Sequence, residues 1–445
     1  MAVKRIIYII ALMLLTYYLS FIYMNNSRGT TFLVINYIFS AFCIFNIFNN
    51  DECKFGLNNT FYIFYYLFFG IAPVFQYCTN TNIWGGSDFT DYDYTHGMTI
   101  ALLSVIIYEI SNMAFQKKRC KIITRYEAVQ YRALKASPIL LLAISSVSFL
   151  LFFAFNDFNI LNLLIRVGDK SAEGLSALIL YYFIRPIPAA SLMAFKSCNC
   201  KNRIIEILLW IIMLFANFPT GMARFAVAGL YIPVLFQYSN WLRKRYNFSL
   251  FLIFAVMIVF PFLNLFRLLD AEITLGLNFD MFLAGHFDSF QMFMRVMKDD
   301  VVTYGNQLLG VLFFFVPRSI WTTKPIGSGH FVATESGYYF DNVSMNYLGE
   351  GFLNFGYLGI LIFVLLISYF NAYMDTRYWY GKRTRQFTIY YYIFMGMEFV
   401  ILRGQLMSFY PIVLGFVCSA YLVYTISARF KLQSTSPVHR LQNYR

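Results

Sequence analysis

Charged side chains are scarce in this sequence. They make up 13% of its 445 residues, whereas hydrophobic residues make up 59% and aromatic residues 20%. A water-soluble chain of this length would need far more charge to cover the surfaces of its domains. Apolar runs of roughly 17–25 residues recur along the whole length instead, which is typical of helical membrane proteins. The sequence therefore predicts an all-α polytopic membrane protein.

The sequence also lacks the motifs of disulfide, metal and nucleotide sites. Its seven cysteines form no disulfide pattern, its four histidines are scattered, and the pair Cys198/Cys200 lacks the second half of a zinc site. No DxD pair occurs in the predicted cytoplasmic segments, and neither glycine-rich phosphate-loop pattern is present. We therefore expect no metal and no cofactor.

Twelve apolar segments are predicted to cross the membrane, within a single transmembrane domain over residues 1–445. The first follows Lys4 and Arg5 without a small-residue cleavage site, so it is interpreted as a retained helix rather than a signal peptide. With ends uncertain by a few residues, the predicted spans are 6–24, 30–48, 59–78, 97–115, 137–155, 176–195, 204–218, 225–241, 248–265, 357–374, 386–402 and 406–427.

Basic residues are distributed unevenly between the two sides of these spans. If the N-terminus is cytoplasmic, 24 of the 35 lysines and arginines fall in cytoplasmic segments, as the positive-inside rule predicts. Both termini then lie in the cytoplasm, and the acidic loop 88–93 lies outside. In a membrane protein the positions of the charges matter more than the formal net charge of +13, and no nucleic-acid partner is expected.

A large loop, residues 266–356, lies outside between the ninth and tenth predicted spans. One stretch of it has a helical amphipathic period, which predicts a helix along the interface or over the bundle. The run at 308–317 is too short to cross and is interpreted as re-entrant or interfacial. The amphipathic stretch places Phe279, Phe282, Leu283, Phe290, Phe293 and Met297 on one face and Asp280, Asp288, Gln291, Arg295 and Lys298 on another.

Cations on the outer side oppose the positive-inside rule, so they are candidates for function. Arginine forms paired hydrogen bonds to phosphate oxygens and keeps its charge, which suits an anionic substrate. Contacts with water or lipid headgroups are the alternative, favoured for Arg28, Arg166, Lys170, Arg295 and Lys298. The candidates for a phosphate-bearing substrate are Arg185, Arg224, Arg267, Arg318 and Arg403, with Lys324 as an additional point charge.

Acidic side chains in the same loop are further candidates. Glu350 lies in LGEGFLNFGYLG, where the glycines permit either close packing or backbone approach to a ligand. Glu398, in the eleventh predicted span, is a candidate ion-pair partner of Arg403. The other carboxylates of the loop are Asp270, Glu272, Glu335 and Asp341.

Two segments of the loop resemble a known family. GVLFFFVPRSIWTTKP at 310–325 is followed, after a Gly/Ser-rich link, by NYLGEGFLNFGYLGI at 346–360. This is similar to the polysaccharide repeat-unit polymerases, the Wzy or O-antigen polymerase family. Members have about a dozen spans, a large late outer loop and a Pro-Arg…Lys-Pro element before an acidic Gly/Asn/Phe-rich segment. The motif resemblance covers residues 305–360, and the layout covers most of the chain.

The resemblance implies a metal-independent glycosyltransferase with the membrane-embedded GT-C fold. It would act at the outer face of the bacterial cytoplasmic (inner) membrane on oligosaccharides linked to undecaprenyl diphosphate. Membrane lipid is a further partner, and a chain-length regulator remains open. The product is left open between O-antigen of lipopolysaccharide, capsule and exopolysaccharide. An O-antigen ligase and a flippase or exporter of lipid-linked oligosaccharide are the alternatives.

The family's functional cations carry over to Arg318 and Lys324. On topological grounds we extend the diphosphate-binding set to Arg224 and Arg267, and Arg403 and Arg185 complete it. By residue type, His330 is the first candidate for the general base and Glu350 the second. The candidate sugar-stacking residues are the aromatic side chains of this loop, for which anchoring at the membrane interface is the alternative. They include Trp321, Tyr338, Tyr339 and Phe340.

Overall fold

A computed structural model of the chain describes residues 2–22, 28–49, 53–123, 137–164, 175–259, 279–381 and 384–429. Every regular element within these ranges is helical. Some predicted site and loop residues lie outside the described residues, namely Arg166, Lys170, Arg267, Asp270 and Glu272, and the side chain of Arg224 is also outside the description.

Eight helices among the described residues are long and apolar enough to cross a membrane, so the chain is an all-α polytopic membrane protein. The other four predicted spans fall on helices Ala2–Ile22 and Arg385–Arg403 and on two shorter apolar helices, Phe225–Tyr238 and Asn247–Ile258. The eight are Thr31–Asn49, Leu57–Cys78, Asp91–Arg119, Pro138–Phe155, Ser176–Ser197, Arg203–Gly221, Tyr347–Trp379 and Leu406–Ser427.

The chain divides into two compact units. The first comprises Met1–Glu127, Ser239–Lys382 and Phe394–Pro411, and the second comprises Ala128–Tyr238, Arg383–Ile393 and Ile412–Arg445. The second unit contains Arg185 and Arg224, and the other predicted site residues that the structure describes belong to the first.

The core of the first unit is the helix Leu57–Cys78, which is buried along its whole length. Its aromatic side chains pack in pairs, for example Phe61 on Tyr108 with ring centroids 3.5 Å apart. The buried carboxylate of Asp375 accepts hydrogen bonds from the backbone N–H groups of Leu57 (3.0 Å) and Asn58 (3.1 Å). This carboxylate satisfies amides that have no partner within the helix and complements the positive end of its dipole.

Most of the described part of the amphipathic stretch is buried within the protein. It forms two short 3₁₀ turns, Phe279–Leu283 and Gly285–Phe287, and the helix Ser289–Lys298. Ser289 to Val296 are buried on all sides, and Asp288 and Arg295 have no exposed surface. The polar side chains Asp288 and Arg295 form hydrogen bonds to other segments of the protein rather than to water. The remaining short helices of this segment are Asn306–Leu312 and Ser328–Glu335.

The long helix Tyr347–Trp379 is broken at Phe355 and Gly356. Gly356 has φ 61° and ψ −148°, a conformation that glycine alone adopts readily. The backbones of Gly351 and Gly359, on either side of the break, approach closely. The carbonyls of Leu353 and Asn354, released by the break, accept hydrogen bonds from the N–H groups of 303 (2.7 Å) and 305 (2.9 Å). Of the two roles considered for these glycines, the structure shows close packing.

We expect Gly359→Ala to destabilise the first unit. A Cβ at this position would lie 1.9 Å from the carbonyl oxygen of Gly351, and neither backbone can move without separating the two helical segments. The free energy of unfolding should fall by about 3 kcal/mol, measured as thermal unfolding in detergent. Gly337→Ala is the control, because an added Cβ meets open space there. The only expected cost is the strain of an alanine at φ 65°, about 1 kcal/mol. Equal losses in the two variants would contradict the packing role.

Candidate functional site

The candidate site is built on the turn between the last two helices, residues 403–406. Arg403, which ends the helix Arg385–Arg403, donates from Nε to the carbonyl of His286 (3.0 Å) and from Nη2 to that of Gly285 (3.2 Å). Nη2 also lies 3.4 Å from Oδ1 of Asp288. Arg403 thus fixes the start of the segment 279–346, which we call the outer segment after its predicted side of the membrane.

Asp288 joins two further parts of the chain. Its Oδ2 accepts from Trp84 Nε1 (2.9 Å) and from the backbone N–H of Ser344 (3.2 Å), and its Oδ1 accepts from the Ser344 hydroxyl. A carboxylate with no exposed surface requires such donors and a cation, which Arg403 supplies. The charge of Arg403 is therefore already neutralised within the protein.

The same turn also holds a later part of the outer segment and the start of the helix Tyr347–Trp379. Gln405 accepts from the backbone N–H of Gly329 (3.0 Å), and the backbone N–H of Leu406 donates to Glu350 (2.9 Å). Glu350 also accepts from the hydroxyl of Ser328 (3.0 Å) and is completely buried. Glu350 thus connects three backbone segments, and its carboxylate faces protein donors.

Glu398 has a different partner from the one expected. Its Oε1 accepts from Nδ2 of Asn371 at 2.6 Å, whereas Arg403 pairs with Asp288. Arg403 lies beyond the end of the predicted span, where the outer segment offers a carboxylate and two carbonyls, so it turns toward that segment.

Arg318 and Lys324 lie on one turn and hold it in shape. Arg318 donates to the carbonyls of Lys324 (2.6 Å) and Pro325 (3.0 Å), and the Lys324 ammonium donates to those of Phe314 (2.6 Å) and Val316 (2.9 Å). Burial, and then the neighbouring Arg318 cation, lower the pKa of Lys324. No carboxylate among the residues that the structure describes pairs with either cation. Both have more N–H donors than these bonds use.

Exposed apolar side chains accompany these two cations. Just before Arg318 the helix Asn306–Leu312 ends, and the following turn leaves large apolar side chains uncovered. The turn therefore combines fixed positive charge with a surface suited to an apolar chain. The exposed side chains are Leu309, Leu312, Phe313, Phe315 and Ile320.

His330 and Asp341 form a pair at the surface of the outer segment. His330 Nδ1 lies 3.2 Å from Asp341 Oδ2, and the side chains are 44% and 63% exposed. A carboxylate on one ring nitrogen fixes the orientation of the imidazole and leaves Nε2 for a substrate proton. This is the arrangement of a general base, and it distinguishes His330 from the buried Glu350.

Two of the predicted sugar-stacking residues, Tyr338 and Trp321, have different surroundings. Tyr338 accepts from Nε of Arg295 (3.0 Å), and burial raises its pKa to about 12, with Arg295 opposing the shift. Trp321 is half-buried and donates from Nε1 to Thr323 (3.1 Å). Tyr338 therefore supports Arg295, whereas Trp321 lies on the turn that carries Arg318.

Arg185, in the second unit, is buried at a helix bend. It donates from Nε to the carbonyl of Ala216 (3.0 Å) and from Nη2 to that of Gly221 (3.4 Å), and its guanidinium lies 5.0 Å from the Phe152 ring centre. The guanidinium of Arg185 thus forms its described hydrogen bonds within the second unit. Arg224 begins the helix Arg224–Tyr238.

Arg295 was expected to contact water or lipid, but it is completely buried. Its guanidinium donates to the carbonyl (2.6 Å) and hydroxyl (2.5 Å) of Ser87 and to the carbonyl of Gly85 (3.3 Å), and it lies 4.4 Å from the Phe89 ring centre. Arg295 therefore binds the loop 79–90, which precedes the helix Asp91–Arg119, to the outer segment.

No group of three or more His, Cys, Asp or Glu side chains in the described ranges is arranged to hold a metal ion. Compared with known proteins, the chain matches no family model, no curated protein and no solved structure.

We expect Arg403→Ala to destabilise the first unit by about 3–5 kcal/mol, because it leaves the buried Asp288 carboxylate without its cation. Thermal unfolding in detergent and protease cleavage of the outer segment would measure the loss. The double variant Asp288→Asn/Arg403→Gln removes both charges and should recover part of the stability. A fully stable Arg403→Ala protein would show that Arg403 is not structural.

Proposed function

We propose that this protein is a polysaccharide polymerase. It joins oligosaccharide repeat units carried on undecaprenyl diphosphate at the outer face of a bacterial cytoplasmic membrane. The growing glycan moves from its lipid diphosphate to the non-reducing end of the next lipid-linked unit. A twelve-span GT-C-like fold with both termini in the cytoplasm belongs to the same proposal.

The observation that carries the proposal is the turn with Arg318 and Lys324. Two cations are held side by side by backbone carbonyls, without a described carboxylate as partner, next to exposed apolar side chains. A diphosphate on a long isoprenoid chain presents the complementary pair, a compact multiple negative charge attached to an apolar tail. Fixed donors at the leaving group stabilise the charge that develops when the bond breaks, in the role that a divalent metal has elsewhere.

The chemistry requires one proton acceptor. The attacking sugar hydroxyl forms a bond to the anomeric carbon of the donor glycan, and the bond from that carbon to the diphosphate oxygen breaks. The electron pair leaves with the diphosphate, whose charge Arg318 and Lys324 balance. The hydroxyl proton passes to Nε2 of His330, while Asp341 holds Nδ1 and stabilises the imidazolium.

Arg403 and Arg185 are assigned structural roles in this proposal rather than diphosphate binding. Both fix loops by donating hydrogen bonds to loop carbonyls, and the charge of Arg403 is neutralised by Asp288. Glu350 is likewise a structural acceptor, because its two oxygens accept from Ser328 and Leu406.

We expect Arg318→Ala to abolish long surface glycan when it complements a deletion of the gene in the source bacterium. Loss of one charge-stabilising donor lowers the rate by roughly 10²–10³. Surface glycan would be resolved by gel, and lipid-linked intermediates by mass spectrometry, at matched membrane levels of protein. Arg318→Lys should restore part of the polymer. The control is Lys298→Ala, which removes a cation already paired with Asp93 at 2.9 Å.

The intermediates distinguish the alternatives. A polymerase deletion leaves single repeat units on the surface anchor. Long chains accumulating on undecaprenyl diphosphate would identify a ligase instead. Single lipid-linked units retained on the cytoplasmic face would identify a flippase, and the assignment of Arg318 and Lys324 would then be wrong.

We expect His330→Gln to lower the polymerisation rate by roughly 10²–10⁴. Asp341→Asn should cause a smaller loss, because it orients the base without taking the proton. The assay follows chain growth in membranes supplied with purified lipid-linked repeat units. Glu335→Gln, which changes an exposed carboxyl on the same short helix, should leave the rate unchanged. A normal rate in His330→Gln would remove His330 as the base.

A further inference from the structure

Three aromatic side chains from two separate loops form a cluster beside His330 and Asp341. Trp84 lies in the loop 79–90, and Tyr339 and Phe340 lie in the outer segment immediately before Asp341. The Phe340 ring stacks on Trp84 with centroids 5.1 Å apart and planes at 22°, and Tyr339 lies against Trp84 at 6.1 Å. We call these three residues the aromatic platform.

The platform is held by hydrogen bonds at the polar ends of its rings. Tyr339 donates its hydroxyl to the carbonyl of Ile83 (2.7 Å), and Trp84 donates Nε1 to Asp288 (2.9 Å). The Trp84 ring also lies directly against Gly285, where a Cβ would collide with it at 2.1 Å. The rings are therefore fixed before any ligand arrives.

The outer faces of the platform are left open. Tyr339 is 76% exposed and Phe340 is 41% exposed. The Tyr339 ring is so exposed that it contributes little to packing. A role in the core therefore does not explain why a hydrogen bond fixes the orientation of this ring.

The orientation of the polar ends argues against a membrane-interface anchor. Interfacial Tyr and Trp keep the ring in the apolar layer and direct the hydroxyl or indole N–H to headgroups and water. Here both polar ends point into the protein, and the apolar ring faces point out. A planar apolar surface of this kind, bordered by the exposed carboxylate of Asp341, fits a ligand with one apolar face and polar edges.

A pyranose ring is such a ligand, because its C–H groups form an apolar face and its hydroxyls lie at the edge. We propose that the aromatic platform binds a sugar ring of the acceptor glycan and delivers its hydroxyl to His330. The identity of the ligand as acceptor rests on the proposed function. Tyr339 and Phe340 are the stacking surface, Trp84 supports them, and Asp341 lies within reach of the hydroxyls at the edge of the bound ring.

The test measures binding without transfer. The probe is the repeat-unit oligosaccharide released from the bacterium's own lipid-linked pool, freed of diphosphate and lipid, so that the cationic turn contributes nothing. Full-length protein in nanodiscs would be titrated with it, and saturation-transfer NMR would report which sugar protons touch the protein. The wild type should bind and show transfer to the C–H protons of one ring face.

Three substitutions at Tyr339 separate stacking from general apolar contact. Tyr339→Ala and Tyr339→Leu should each raise Kd on the order of tenfold, because both lose the aromatic face. Tyr339→Phe keeps the face and should stay close to the wild type. Tyr304→Ala is the matched control, since Tyr304 is 86% exposed in the same segment but lies outside the platform. Thermal unfolding checks that every variant is folded.

Several outcomes would overturn the proposal. These are no binding to the wild type, wild-type affinity in Tyr339→Ala, and wild-type affinity in Tyr339→Leu, which would indicate a nonspecific apolar or lipid contact. An equal loss in Tyr304→Ala would also overturn it. If deletion of the gene leaves single lipid-linked units on the cytoplasmic face while glycan binding depends on Tyr339, the polymerase function fails and the platform stands as a glycan site. The reverse pattern rejects the platform alone.

Discussion

The ion pair between Asp288 and Arg403 is the contact on which the candidate site depends. A carboxylate with no exposed surface is costly in a protein interior unless a cation and hydrogen-bond donors surround it. Here these partners come from three other places in the chain: Trp84 before the helix Asp91–Arg119, Ser344 before the helix Tyr347–Trp379, and Arg403 at the end of the helix Arg385–Arg403. Loss of the pair would leave the Asp288 carboxylate without its cation and weaken the contacts that join Trp84 and Ser344 to the start of the outer segment.

The membrane class and most helices follow from the sequence because long apolar runs have one physical solution in lipid, the helix with all its backbone groups paired. Eight predicted spans coincide with helices long enough to cross, and the predicted start of the tenth span at 357 falls directly after the break at Gly356. A hydropathy analysis finds these helices because the formation of each one depends on the composition of its own segment. The broken helix shows the limit, since hydropathy places the span but does not show that residues 347–354 fold back against it.

The site is harder to predict from the sequence, because its polar contacts join residues that are far apart in the chain. The amphipathic period of 279–298 correctly separates apolar from polar positions, yet the polar positions of Asp288 and Arg295 meet protein donors and acceptors rather than water. Nothing local to Asp288 predicts Trp84, 204 residues away. The residue types of Arg318, Lys324 and His330 do single them out, because cations that are predicted to face outward are a minority and the chain has four histidines. Gln405 was missed, although a glutamine in a short turn between two apolar helices is an available signal.

The distance in sequence between Asp288 and Arg403 has a consequence for biosynthesis. Arg403 is synthesised 115 residues after Asp288, and domains form progressively as the chain emerges. The Asp288 carboxylate therefore has no cation while the broken helix is made, and the outer segment can be anchored only after the turn 403–406 has been synthesised. Until then the chain carries the cationic turn and the aromatic platform in its sequence but lacks the arginine that anchors the start of the segment on which they lie.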